Sequence, residues 1–96
     1  DGAEPGQIQE AAELYAPECG RVLNIYTTQP GVQVYTGNWL SGCPAGKNGH
    51  VYEDYEGVAI ECQNFPDAPN QADYPSAVLR PGEVYGQAII FAFGIR

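Results

Sequence analysis

Glu61 stands in the middle of "VAIECQ" (58–63), a run that otherwise looks like a half-buried β-strand. Side chains alternate faces along a strand, so Val58, Ile60 and Cys62 share one face while Ala59, Glu61 and Gln63 share the other. The segment "VQVYT" (32–36) behaves the same way, with Val32 and Val34 opposed to Gln33 and Tyr35. If the two strands lie in one sheet in matching orientation, Gln33, Glu61 and Gln63 converge on a common surface. A carboxylate flanked by amides and a tyrosine hydroxyl makes a hydrogen-bonding floor suited to a polyol. The plainer alternative is a glutamate on the solvated face of an antiparallel sheet. Residue pattern alone does not separate the two.

Directly after this strand, "NFPDAPNQADYPS" (64–76) carries three prolines and so excludes regular structure. Fixed proline dihedrals, with Asn64, Asp67 and Asn70 satisfying local N–H groups as Asx turns, would make it a rigid connector that holds Glu61 in place.

The elements that must position these residues are short. "RVLNIYTT" (21–28) is β-branched and apolar enough for a strand, and "QPG" (29–31) bends the chain. "IQEAAELYA" (8–16) fits either an amphipathic helical turn or a strand, closed by Pro17 and Gly20. "SGCPAGKNG" (41–49) is loop by composition, and "HVYEDYEG" (50–57) is ambiguous, with a short hairpin edge as one option. "LRPGE" (79–83) is a turn centred on Pro81-Gly82. The closing "VYGQAIIFAFG" (84–94) sets large residues against small ones, as in a packed strand. The expected architecture is all-β, an antiparallel sheet of five or six strands in a single segment covering residues 1–96.

Bulk properties agree. Twelve glycines and eight prolines in 96 residues leave little room for long helices, and 44% hydrophobic with 17% charged residues excludes disorder. A net charge of −8 repels phosphate backbones and anionic membranes, which argues against nucleic-acid and membrane partners and leaves neutral ligands such as sugars open. The amino terminus has neither a basic nor an apolar segment and no methionine, so Asp1 reads as a cut end. Cys62 is expected to be a buried free thiol, whereas Cys19 and Cys43, both beside turn residues, could pair in an oxidising compartment. No cysteine or histidine spacing suggests a metal site.

Taken together, "TTQPGVQVYTGN", "GKNG", "ECQNFPDAPN" and "LRPGEVY", in this order, resemble the C-terminal part of the galactose mutarotases, the aldose 1-epimerases. The similarity runs from about Arg21 to Phe93. It implies the last strands of a large antiparallel β supersandwich, with the N-terminal portion of the domain outside this chain. It also implies that Glu61 is the general base, taking the proton from the anomeric hydroxyl of an aldohexose, and that Gln33 binds sugar hydroxyls. Desolvation on a sheet face makes a carboxylate a stronger base, which suits that role. The family's chemistry needs no metal or organic cofactor, and its location is commonly cytoplasmic, although the odd cysteine count leaves secretion open.

The resemblance breaks at the acid. The family's catalytic histidine belongs to a stretch this chain lacks, and His50, in "GKNGHVY", matches no catalytic motif and reads as a loop or edge residue. Arg80 reads as a turn residue. The chain would therefore supply half of a catalytic pair. It is expected to be inactive alone, with exposed sheet edges prone to aggregate. The competing readings are a non-catalytic carbohydrate-binding module derived from the same fold and, more weakly, an enzyme acting on a phosphorylated sugar.

Overall fold

Five strands in two antiparallel sheets carry the described residues, 6–96, of the computed structural model. The first five residues, part of the stretch read as a cut end, lie outside this description. Strands β1 (Gln9–Ala16), β2 (Arg21–Thr27) and β5 (Ile89–Ile95) form one sheet in the order β1-β2-β5. Strands β3 (Gly31–Tyr35) and β4 (Ala59–Gln63) form the second. The all-β, antiparallel expectation holds, but the strands divide between two sheets rather than joining one.

Within residues 8–16, open between helix and strand in the sequence, Gln9–Ala16 form β1, and a bulge explains the ambiguity. Its register against β2 shifts between Glu10 and Ala12, which places Glu10 and Glu13 on the same side of the sheet. Both carboxylates accept from Asn24 Nδ2, at 2.8 and 3.0 Å. Two acidic residues three apart on one face is a helix-like spacing, produced here by an extra residue in a strand. Arg96 closes this polar face with a bidentate pair to Glu13 (3.0 and 2.6 Å), its guanidinium carbon 5.1 Å from the Tyr15 ring centroid. The opposite face is apolar, built from Leu14, Leu23, Ile25, Phe91 and Phe93 through the register of the three strands.

The turn from β1 into β2 ends on Gly20, whose φ is +69°. A Cβ at this position would lie 2.7 Å from the Arg96 carbonyl oxygen, and the Arg96 amide donates to the Gly20 carbonyl at 2.7 Å. Glycine is required there on both counts.

Between the sheets the chain turns a buried corner. Thr27, 1% exposed, donates its hydroxyl to the Ala88 carbonyl at 3.0 Å and accepts the Gln29 amide at 3.0 Å. Thr28 donates its own backbone amide to the same carbonyl and accepts the Ala88 amide on its hydroxyl. These side chains take the place of ladder bonds. The closing strand consequently starts at Ile89, not at Val84, and residues 84–88 are irregular.

The 50–57 segment is not a hairpin edge. Tyr55 has φ +68° and donates its amide to the Gly37 carbonyl, while Ser41 and Asp54 exchange side chain-to-backbone hydrogen bonds at 2.9 and 3.1 Å. The bonds from Ser41 hold the Asp54 carboxyl below its ordinary range. The 79–83 turn is as expected: Glu83 N donates to the Arg80 carbonyl, with Gly82 at φ +87° in the position a type II turn demands.

The interior is thin. Ile25 and Ala68 are the buried apolar side chains of the described residues, and all seven residues of β5 are exposed, so the closing strand is not the packed strand that its large-small alternation suggested. The radius of gyration is 16.9 Å, against about 12–13 Å for a self-contained domain of this length. Much apolar surface stays uncovered: Phe91, Phe93 and Val34 are exposed, and Leu14, Leu23, Val32 and Ile60 are only half-buried.

Candidate functional site

The site grows out of the β3–β4 ladder. Gln33 lies directly opposite Glu61 in the antiparallel register, with Gly31 opposite Gln63 and Tyr35 opposite Ala59. Opposed residues project to the same side of a sheet, so the convergence of Gln33, Glu61 and Gln63 read from the alternation is present in the fold. Gln63 Nε2 donates to Gln33 Oε1 at 3.3 Å, a diagonal bond that links the two amides across the strands. Val32, Val34, Ile60 and Cys62 occupy the reverse face. Cys62 is half-buried rather than buried, and all three thiols are free, so Cys19 and Cys43 are not bridged.

The two ends of this floor are aromatic. At one end the Tyr35 hydroxyl accepts the backbone amide of Trp39 at 3.0 Å, which ties the start of the β3–β4 connection to the floor. At the other, Phe65 stands over Gly31, where a Cβ would fall 2.8 Å from ring carbon Cδ1. A hollow of about 180 Å³ opens beside it, lined by Gly31, Gln33, Gln63, Phe65 and their neighbours.

The connector after β4 is rigid, by a means other than the expected Asx turns. Asp67 adopts a left-handed conformation (φ +64°) and accepts the side-chain amides of Asn70 at 2.6 Å and Gln71 at 2.8 Å. Those two bonds, the one from Gln71 foremost, hold its carboxyl below the ordinary value. Ala68 is buried beneath this clamp. Phe65, unremarked in the sequence beyond its place in the loop, is thereby pinned against Tyr74, with centroids 5.2 Å apart and planes tilted by 59°. No periodicity flags it; the glycine opposite Gln63 is the signal that would have found it.

Glu61 is exposed. The partial desolvation expected of it is not supplied by these strands. His50 is held elsewhere: its Nε2 is 3.1 Å from Glu56 Oε2 and its ring meets Tyr52 edge-on at 4.7 Å. Glu56 is held below its ordinary range by the Glu53 amide and, second, by His50. The loop reading of His50 therefore fits its surroundings. Among the described residues no three His, Cys, Asp or Glu side chains gather as a metal site would require.

Comparison with known proteins bears on this arrangement. The family model for aldose 1-epimerase matches residues 4–92. The galactose mutarotase of Mus musculus is 54% identical over 76 residues, covering 79% of this chain and 22% of the mouse protein. That of Homo sapiens is 51% identical over 84 residues, covering 88% of this chain and 25% of the human protein. The aldose 1-epimerase of Escherichia coli is 36% identical over 85 residues, covering 86% of this chain and 24% of the bacterial protein. The chain thus spans about a quarter of the length of these relatives. With a family match running over nearly its whole length and a floor of the implied residues on one sheet face, this chain belongs to the aldose 1-epimerase family.

Proposed function

We propose that this chain is the base-bearing, C-terminal part of an aldose 1-epimerase acting on aldohexoses such as galactose or glucose, and that it works together with an N-terminal mutarotase segment. One observation carries the reading: Gln33 faces Glu61 across the ladder, with Gln63 joined to Gln33 on the same side. Glu61 takes the proton from the anomeric hydroxyl as the C1–O5 bond breaks, while an acid from the accompanying segment protonates the ring oxygen. Rotation about C1–C2 and closure with the roles reversed give the other anomer. Gln33 holds sugar hydroxyls through its amide, which can donate and accept.

The exposure of Glu61 and of the β5 aromatics fits this division of labour. The accompanying segment would cover the exposed apolar surface and exclude water from the floor, which strengthens a carboxylate as a base. Three free thiols accord with the cytoplasmic location that the family implies.

Polarimetry of galactose and glucose tests the proposal. The chain alone is expected to be inactive and to gain activity when combined with an N-terminal mutarotase segment. Glu61→Gln should then lose roughly 10²–10⁴-fold in kcat. Mutarotation catalysed by the isolated chain would refute the division. A second reading, a carbohydrate-binding module without catalysis, is favoured by the engagement of His50 with Glu56. It predicts sugar binding that no added segment converts into turnover.

A further inference from the structure

Phe65 has no role in the chemistry above, yet the fold places its ring with care. Gly31 belongs to the floor face because it opposes Gln63 in the ladder. A Cβ there would lie 2.8 and 2.9 Å from Phe65 Cδ1 and Cε1, so the ring rests on bare backbone over the floor instead of beside it. Any larger residue at this point would displace the ring. From behind, Tyr74 supports the ring, and the Asp67 clamp two residues on fixes the loop that carries it. Phe65 is still 36% exposed. A side chain so firmly held and yet uncovered presents a rigid apolar surface at the edge of a polar floor.

We propose that Phe65 is a specificity-determining wall of this site, taking the C–H face of a pyranose whose hydroxyls stand on the Gln33 and Gln63 amides. This rests on the floor being a sugar site, though not on its catalysing epimerisation. The hollow beside the ring, about 180 Å³ and lined also by Gln33 and Gln63, takes one edge of a sugar. Its lining carries no charged side chain, in keeping with a neutral ligand. Sugars with an unbroken patch of axial C–H bonds would be preferred over those in which a hydroxyl interrupts it. The wall thereby reads the configuration of ring carbons that the amides do not touch.

The probe is methyl β-D-galactopyranoside, whose anomeric centre is blocked so that only binding is read. Titrated into the labelled chain and followed by NMR, it should shift the Gln33 and Gln63 side-chain amides. It should also give contacts between sugar C–H protons and the Phe65 ring. Phe65→Leu should raise Kd about three- to tenfold, the range typical of one aromatic contact. Gly31→Ala, which keeps Phe65 but displaces its ring, should do the same, and Phe65→Tyr should bind like the parent. Native-like Ile25 and Thr27 resonances establish that each variant folds. Amide shifts without contacts to the ring, or a Phe65→Leu chain that binds as tightly as the parent, would overturn the wall while leaving the floor in place. Silence at the amides and the ring alike would remove the sugar floor and the wall with it.

Discussion

The buried corner at Thr27 decides how the second sheet hangs from the first, and it can be tested with two conservative substitutions. Thr27→Val keeps the shape and removes the hydroxyl. The Gln29 amide then loses its acceptor in a buried position, and an orphaned buried donor costs about 1–3 kcal/mol. The Ala88 carbonyl fares better, since Thr28 N still donates to it at 3.1 Å, so its loss adds about 0.5–1 kcal/mol. The sum is about 1.5–4 kcal/mol. Thr27→Ser keeps both bonds and removes one buried methyl, worth about 1 kcal/mol. Urea denaturation followed by circular dichroism reads both. With a slope of about 1 kcal/mol per molar, the valine chain should unfold about 1.5–4 M below the parent, and the serine chain about 1 M below. Should valine prove as stable as serine, the hydroxyl bridge would not be what holds the corner, and burial of the methyl would have to take its place.

Other outcomes follow from the same structure. His50→Gln should leave the mutarotation of the assembled enzyme within about twofold, since its partner is Glu56; a loss on the general-acid scale of about 10²-fold would make His50 catalytic. Asp67 titrates below its ordinary value of 3.8, so its clamp is intact above that value and is lost as the pH falls through the lower, folded-state one. The Asn70 and Gln71 side-chain amide resonances should move only in that acid range, and Asp67→Asn should shift them at neutral pH; amides that titrate with the ordinary aspartate value would refute the clamp. Gly82→Ala places a methyl-bearing residue at φ +87° and should cost about 1–2 kcal/mol, measured in the same denaturation assay.

How much of this was legible in the chain depends on where the information is local. The faces of β3 and β4 follow from a period of two, and the register delivered the facing of Gln33 and Glu61 that alternation predicts. Pro81-Gly82 specified its own turn. The division into two sheets was not legible. It depends on Thr27 and Thr28 bonding across the chain to Ala88, contacts between residues about sixty positions apart. The bulge in β1 hid its strand by bringing Glu10 and Glu13 to one face. At the site, residue types announced the polar floor, whereas Phe65 depended on what glycine leaves empty on a neighbouring strand. The exposure of Glu61 could not be read at all, because alternation specifies a face and not what lies over it.

The direct facing of Gln33 and Glu61 makes the site a matter of odd and even. Losing Cys62, the single residue between Glu61 and Gln63, would remove only a half-buried thiol from the strand, yet put the carboxylate and the Gln63 amide on opposite sides of the sheet. The irregular excursion from Thr36 to Val58 carries no such restriction, because its length does not enter the ladder. Variation among descendants of this sequence should accumulate there, with insertions of any length tolerated, while the short ribbon on either side admits substitutions but no change of count.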